Sequence, residues 1–259
     1  MSSVGRRHFL KHSALGLSLM GAGWSSLPSL SAVPASSASL RPAARETDPV
    51  LLFQGDSITD AGRSREHTAP NRSQALGTGY AALAASELLG TRPDSTWACY
   101  NRGVGGDKVG DLAARWDADA LALEPDVLSI LVGVNDFWHT LSGNHDGTPE
   151  RYEETYRALL DRTREALPSA TLLLGEPFAL RGGSAVDERW QPDFQRYREA
   201  ARRVAEDYDT AWIPYQSVFN DALQDAPAPY WSRDGVHPTP AGHYRMAQAW
   251  LAAFREHTE

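Results

Sequence analysis

Cysteine is almost absent. The chain of 259 residues carries one, Cys99, which excludes an intrachain disulfide framework. Its neighbours Trp97 and Tyr100 mark it as a small buried hydrophobe rather than a nucleophile. Cations are in deficit: 25 Lys and Arg stand against 33 Asp and Glu, a formal net charge of −8. Nucleic acid and anionic membranes attract basic surfaces, so this balance speaks against both as partners. No apolar run is long enough for a stable membrane span; the one near the N-terminus, residues 13–24, is too short. There is no Gly-x-Ser-x-Gly nucleophile elbow. Neither His-Glu-x-x-His nor an acidic calcium loop occurs, so no metal and no other cofactor is expected.

What is present begins with an export signal. Arg6-Arg7 precede Phe9-Leu10-Lys11, a weakly apolar stretch and a cluster of small residues over 29–38, the order of a twin-arginine signal. Residues 1–38 are therefore expected to be removed and the protein to be periplasmic or extracellular. Three cations and no acid leave with them, taking the charge from −8 to −11. Residues 39–49 read as a polar linker, and 50–259 as one domain. Within it apolar strand patterns at 50–53, 97–100, 126–132, 171–174 and 211–214 alternate with helical ones at 80–89, 109–123, 149–166, 191–207 and 240–256. Gly90 is the expected C-cap of the first helix, and Thr148 with Pro149 opens the third. Such alternation predicts a parallel sheet with helices on both faces.

The polar motifs fall at strand ends. Gly55-Asp56-Ser57 follows the first strand, Gly103 to Asp107 the second, and Gly133-Val134-Asn135-Asp136 the third. Sites in open α/β sheets lie beyond the carboxyl ends of strands, so the three motifs point into one crevice. A serine becomes nucleophilic when a base takes its proton and a third group orients that base. In Asp234-Gly235-Val236-His237-Pro238 a carboxylate three residues before a histidine can reach Nδ1 and leave Nε2 for a serine. The turn Gly103-Val104-Gly105-Gly106 supplies closely approachable backbone N–H groups, and Asn135 a side-chain donor, for a developing oxyanion. Each piece taken alone also fits an ordinary loop.

Together, Gly55-Asp56-Ser57-Ile58-Thr59-Asp60, Val104-Gly105-Gly106-Asp107, Gly133-Val134-Asn135-Asp136 and Asp234-Gly235-Val236-His237-Pro238 resemble, in order, the four blocks of the SGNH, or GDSL-type, hydrolases, across about residues 50–256. The strings around them, including Asn101-Arg102-Gly103 and Phe137-Trp138, are similar to the branch containing bacterial acetylxylan esterases. The resemblance implies a three-layer, flavodoxin-like α/β/α sandwich on a parallel sheet of about five strands. It also implies Ser57, Asp234 and His237 as triad, with the Ser57 N–H, the Gly106 N–H and the Asn135 side chain as oxyanion donors. The expected reaction is hydrolysis of short acyl esters, acetyl foremost, on a carbohydrate such as xylan. The expected partner is accordingly a small-molecule or oligosaccharide ester, and nothing in the sequence bears on oligomerisation. Trp138, Tyr230 and Trp231 lie near the motifs and are candidates to stack on sugar. A lysophospholipase or thioesterase, a glycan-binding protein and an O-acyltransferase on the same fold are the competing readings.

Overall fold

The computed structural model describes residues 48–258. The export signal and all of the linker but Asp48 and Pro49 lie outside the described residues. In chain order the domain runs β1 (Val50–Gly55), α1 (Ser57–Asp60), α2 (Ser73–Leu76), α3 (Tyr80–Thr91), β2 (Ala98–Asn101), α4 (Val109–Asp119), β3 (Val127–Leu131) and α5 (Val134–Leu141). It continues with α6 (Pro149–Ala166), β4 (Thr171–Gly175), α7 (Asp193–Asp207), β5 (Ala211–Ile213), α8 (Tyr215–Ala222), α9 (Ala228–Trp231) and α10 (Pro240–Thr258).

The five strands pair in parallel in the order β2-β1-β3-β4-β5. Apolar side chains fill both faces of β1 and β3, as a sheet covered on each side requires. The chain steps outward from β1 to β2 and then returns past β1 to β3, so later connections cross the opposite face. One layer joins α10 to α3 and α8, and the other joins α4 to α6 and α6 to α7. The fold is thus a three-layer α/β/α sandwich whose switch point lies between β1 and β3.

Each face is anchored by a buried tryptophan with its indole N–H satisfied. Trp250 donates to Ser129 Oγ at 2.9 Å and stacks on Phe254; Trp116 donates to Thr163 Oγ1 at 3.0 Å. Truncating either to alanine would cost about 3–5 kcal/mol in lost contacts and cavity.

Several element ends differ from the sequence reading. Gly90 is not a cap: α3 runs through it to Thr91, and Arg92 ends the helix with φ −129°. The helix expected over 109–123 stops at Asp119, followed by a 3-10 turn, Leu121–Leu123. The buried Gln54 amide donates to the Asp119 carbonyl at 2.8 Å and caps it there. α7 starts at Asp193 rather than Gln191 because Gln191, the residue before Pro192, is extended (φ −109°, ψ 140°) and outside the helical region. The stretch over 134–141, to which the sequence reading gave no element, is a helix whose two turns are too short for periodicity to declare.

Candidate active site

β1 is buried to its last residue, where the chain must turn sharply. Gly55 makes the turn at φ +156°, and a Cβ there would lie 2.3 Å from the Leu131 carbonyl oxygen and 2.4 Å from Thr59 Oγ1. Asp56 then caps α1, its Oδ1 accepting the Ile58 N–H at 2.9 Å. Ser57 thereby becomes the first residue of a one-turn helix at the strand's carboxyl end. Asp56 Oδ2 is buried without a hydrogen-bond partner among the described residues. Burial lifts this carboxyl to about 7, against the pull of the Ile58 N–H and of the His237 charge.

Ser57 Oγ lies 2.8 Å from His237 Nε2, and His237 Nδ1 lies 2.6 Å from Asp234 Oδ2. The other carboxylate oxygen of Asp234 accepts the N–H groups of Val236 and His237 at 2.9 and 2.8 Å. Burial raises the Asp234 pKa, but the bonds from the His237 ring and these N–H groups outweigh it and hold the carboxyl below its usual range. An ionised Asp234 facing Nδ1 selects the tautomer that carries its proton there, leaving the Nε2 lone pair for the Ser57 hydroxyl. The loop is pinned by the buried Ser232, whose hydroxyl accepts the Gly235 N–H and lies 2.9 Å from the His237 carbonyl.

The glycine turn after β2 closes over Ser57. Val104 N–H donates to the Gly55 carbonyl at 3.0 Å and Gly105 N–H to Asp60 Oδ2 at 3.1 Å. Gly106 takes φ +88°, a conformation that glycine adopts without cost. Asn101, at the end of β2, accepts the Gly103 N–H at 2.9 Å. Asn135 stands in the first turn of α5 and donates one amide hydrogen to the Asp107 carbonyl at 3.1 Å, leaving its second for the cleft it lines.

The cleft has a volume of about 450 Å3. Ser57, His237, Gly105, Gly106 and Asn135 form one side; Trp138, His139, Ser142 and Asn144 form the other. The Trp138 ring stands 6.4 Å from that of His237 and packs against Trp190 at 5.6 Å. The remaining two aromatic candidates are not in this cleft. Tyr230 is 58% exposed, while Trp231 is 6% exposed and donates its indole N–H to the Ala226 carbonyl. Their own carbonyls accept from Thr239, so the pair braces the segment that carries Asp234 and His237.

Two residues to which the sequence reading gave no role lie around the site. His243 is buried behind α3, accepts the Tyr80 N–H at 3.1 Å and is lowered to about 4 by burial and by the His237 charge. Asp136 accepts the Val109 N–H at the start of α4 and is lifted to about 7 by burial. Cys99 is buried in β2 and its thiol is pushed up to about 12 by desolvation. Among the described residues no group of three or more His, Cys, Asp or Glu side chains could hold a metal ion.

A profile of the GDSL-like lipase/acylhydrolase family matches residues 53–245. The chain belongs to that family. A curated acetylxylan esterase from Geobacillus stearothermophilus is 34% identical over 206 residues, 78% of this chain and 91% of the relative. A solved structure of an acetylxylan esterase from the same organism superposes with a TM-score of 0.71 at 32% identity, covering 79% of this chain and 93% of that one. A Parabacteroides merdae protein designated a GDSL-like lipase gives a TM-score of 0.78 at 48% identity, over 80% and 95%. This GDSL-type chain is therefore a carboxylic ester hydrolase whose relatives include acetylxylan esterases. Among the described residues no helix is long and apolar enough to cross a membrane.

Proposed function

We propose that the protein is a serine esterase that removes short acyl groups, acetyl above all, from a carbohydrate such as xylan. The observation that carries the reading is the relay Ser57–His237–Asp234, closed at 2.8 and 2.6 Å beside the Gly106 turn and the Asn135 amide. Ser57 Oγ attacks the ester carbonyl carbon as its proton passes to His237 Nε2. The oxyanion forms toward the N–H groups of Ser57 and Gly106 and the free Asn135 amide hydrogen. Collapse breaks the bond to the sugar oxygen, which leaves with the proton from His237. Water, deprotonated by the same Nε2, then cleaves the acyl-serine and releases the acid.

The substrate class draws support from two sides. The relatives include an acetylxylan esterase along 91% of its length. The cleft pairs an aromatic face, Trp138, with the polar His139, Ser142 and Asn144, a lining suited to a sugar. Next to Ser57 the lining residues Gly105, Gly106 and Asn135 carry no long aliphatic side chain.

p-Nitrophenyl esters from acetyl to octanoyl, run beside acetylated xylooligosaccharides, test the reading. kcat/KM should be highest for acetyl and fall beyond butyryl. A channel that buries the chain would instead gain about 0.8 kcal/mol per methylene, and a rising series would transfer the protein to the lysophospholipase or thioesterase class.

The twin arginines and the apolar stretch after them support export by the twin-arginine route. Replacing Arg6 and Arg7 by lysine keeps the charge but removes the planar fork, so unprocessed precursor should accumulate in the cytoplasm. Normal processing of that variant would indicate the general secretory route.

A further inference from the structure

Arg115 sits on α4, outside the cleft, with its side chain 19% exposed. Its guanidinium is the meeting point of four segments. Nε–H donates to Asp107 Oδ2 at 2.8 Å. Nη1 donates to Gln54 Oε1 at 3.0 Å and to the Arg102 carbonyl at 2.9 Å, with Asp119 Oδ2 at 3.0 Å. Nη2 reaches the Gly55 carbonyl at 3.4 Å. Gln54 and Gly55 end β1 immediately before Asp56 and Ser57; Arg102 and Asp107 bracket the glycine turn. Asp107 passes the restraint on, because its carbonyl holds the Asn135 amide at 3.1 Å.

We propose that Arg115 is a positioning residue, a single guanidinium that fixes the spacing among Ser57, the Gly106 N–H and the Asn135 amide. The proposal deepens the serine-esterase reading and rests on it. Oxyanion donors act by standing in place before charge develops, and an error of about 1 Å in such a constellation costs up to ~10²-fold in rate. The role needs arginine in particular. Its planar fork directs donors to Asp107, Gln54 and two carbonyls at once, whereas a lysine ammonium is a compact charge that cannot span them. Arg115 touches neither substrate nor reacting atoms, so its effect runs through the donors it places. The Arg115–Asp119 pair, four residues apart on α4, would by itself support only the helix.

A purely structural arginine and a positioning one separate in a coupling experiment. kcat, KM and Tm are measured on p-nitrophenyl acetate for the wild type, Arg115→Lys, Asp107→Asn, Asn135→Ala and the Arg115→Lys/Asn135→Ala pair. The expected result is a roughly 10- to 100-fold fall in kcat for Arg115→Lys, with KM within about twofold. Asp107→Asn should move kcat the same way by a smaller factor. In the Asn135→Ala background the lysine substitution should cost at least about threefold less, since one donor that it misplaces is already gone. Affinity for a methylboronic acid, which adds to the serine as a tetrahedral anion, should fall in step with kcat. Folded variants with wild-type kcat, or a lysine penalty undiminished in the Asn135→Ala background, would overturn the proposal. If Arg115→Lys does not fold, Asp107→Asn with and without Asn135→Ala carries the same comparison. A wild type inactive on every ester removes the esterase reading and the clamp with it; an active wild type indifferent to Arg115 removes the clamp alone.

Discussion

The two sides of the cleft are built differently. On the Ser57 side the segments are tied to one another across the chain: Asn101 donates to the Thr59 and Leu76 carbonyls, Gln54 to the Asp119 carbonyl and Asn135 to the Asp107 carbonyl, while Asp56 and Ser232 cap their own turns. On the Trp138 side the polar residues are held by their neighbours in sequence. Ser142 donates to the Trp138 carbonyl, and Asn144 binds Ser142 Oγ and the His139 carbonyl. Ser142 and Asn144 are exposed, whereas Gln54, Asp56, Asn101 and Ser232 are almost fully buried. On the proposed serine-esterase reading the difference separates two requirements. Bond-making needs donors and base fixed in advance, while recognition of an alcohol group tolerates a looser wall.

Substitutions break this comparison from the strong side to the weak. Ser57→Ala should lower kcat by roughly 10⁶-fold while the protein stays folded, and a fluorophosphonate should label the wild type at Ser57. Labelling at Ser64 or Ser73 instead would discard the relay. Asn135→Ala should cut kcat by about 10²–10³-fold with KM nearly unchanged, as loss of one preorganised donor does. A dominant KM effect would move Asn135 to the recognition side. Trp138→Ala should behave in the opposite way, raising KM for acetylated xylooligosaccharides several-fold while kcat on p-nitrophenyl acetate changes little. An equal loss on both substrates would give Trp138 a part in holding His237.

The smallest effect concerns stability. The Asp56 carboxyl is lifted from its ordinary 3.8 to about 7 by burial. The folded protein thus binds this proton more tightly than the unfolded chain does. The stabilisation is complete below about pH 4 and is lost as pH rises through 7. The amide in Asp56→Asn cannot ionise, so the Tm of the variant relative to wild type should climb by roughly 5 °C between pH 4 and 8. Asp136 is lifted mainly by burial and in part by the Asp56 charge, so its lift shrinks in the variant and adds to the difference with the same sign. A difference independent of pH would mean that Asp56 does not titrate in this window.

What the sequence disclosed follows from how each part is encoded. Strand-end motifs are contiguous: Gly55 to Ser57, Gly103 to Asp107 and Gly133 to Asp136 each carry backbone geometry and functional group in one short string. They could be read, and alternation then placed them at one end of one sheet. Proximity along the chain did not bring Tyr230 and Trp231 into the cleft, because α9 turns them away from it while their carbonyls hold Thr239. Arg115 was illegible for the opposite reason. Two of its partners, Gln54 and Gly55, are 61 and 60 residues away, and α4 alone shows only an arginine on a charged helix.

The end of α5 carries one more consequence. Residues 142–147 connect α5 to α6, and among the described residues their hydrogen bonds run within 138–151: Gly143 N–H to Thr140, Asn144 N–H to His139, Arg151 to Asp146. The sheet, the histidine loop and the glycine turn do not depend on them. Sequence changes in this connector would therefore leave those bonds in place, and on the serine-esterase reading a library aimed at a new alcohol preference would start there.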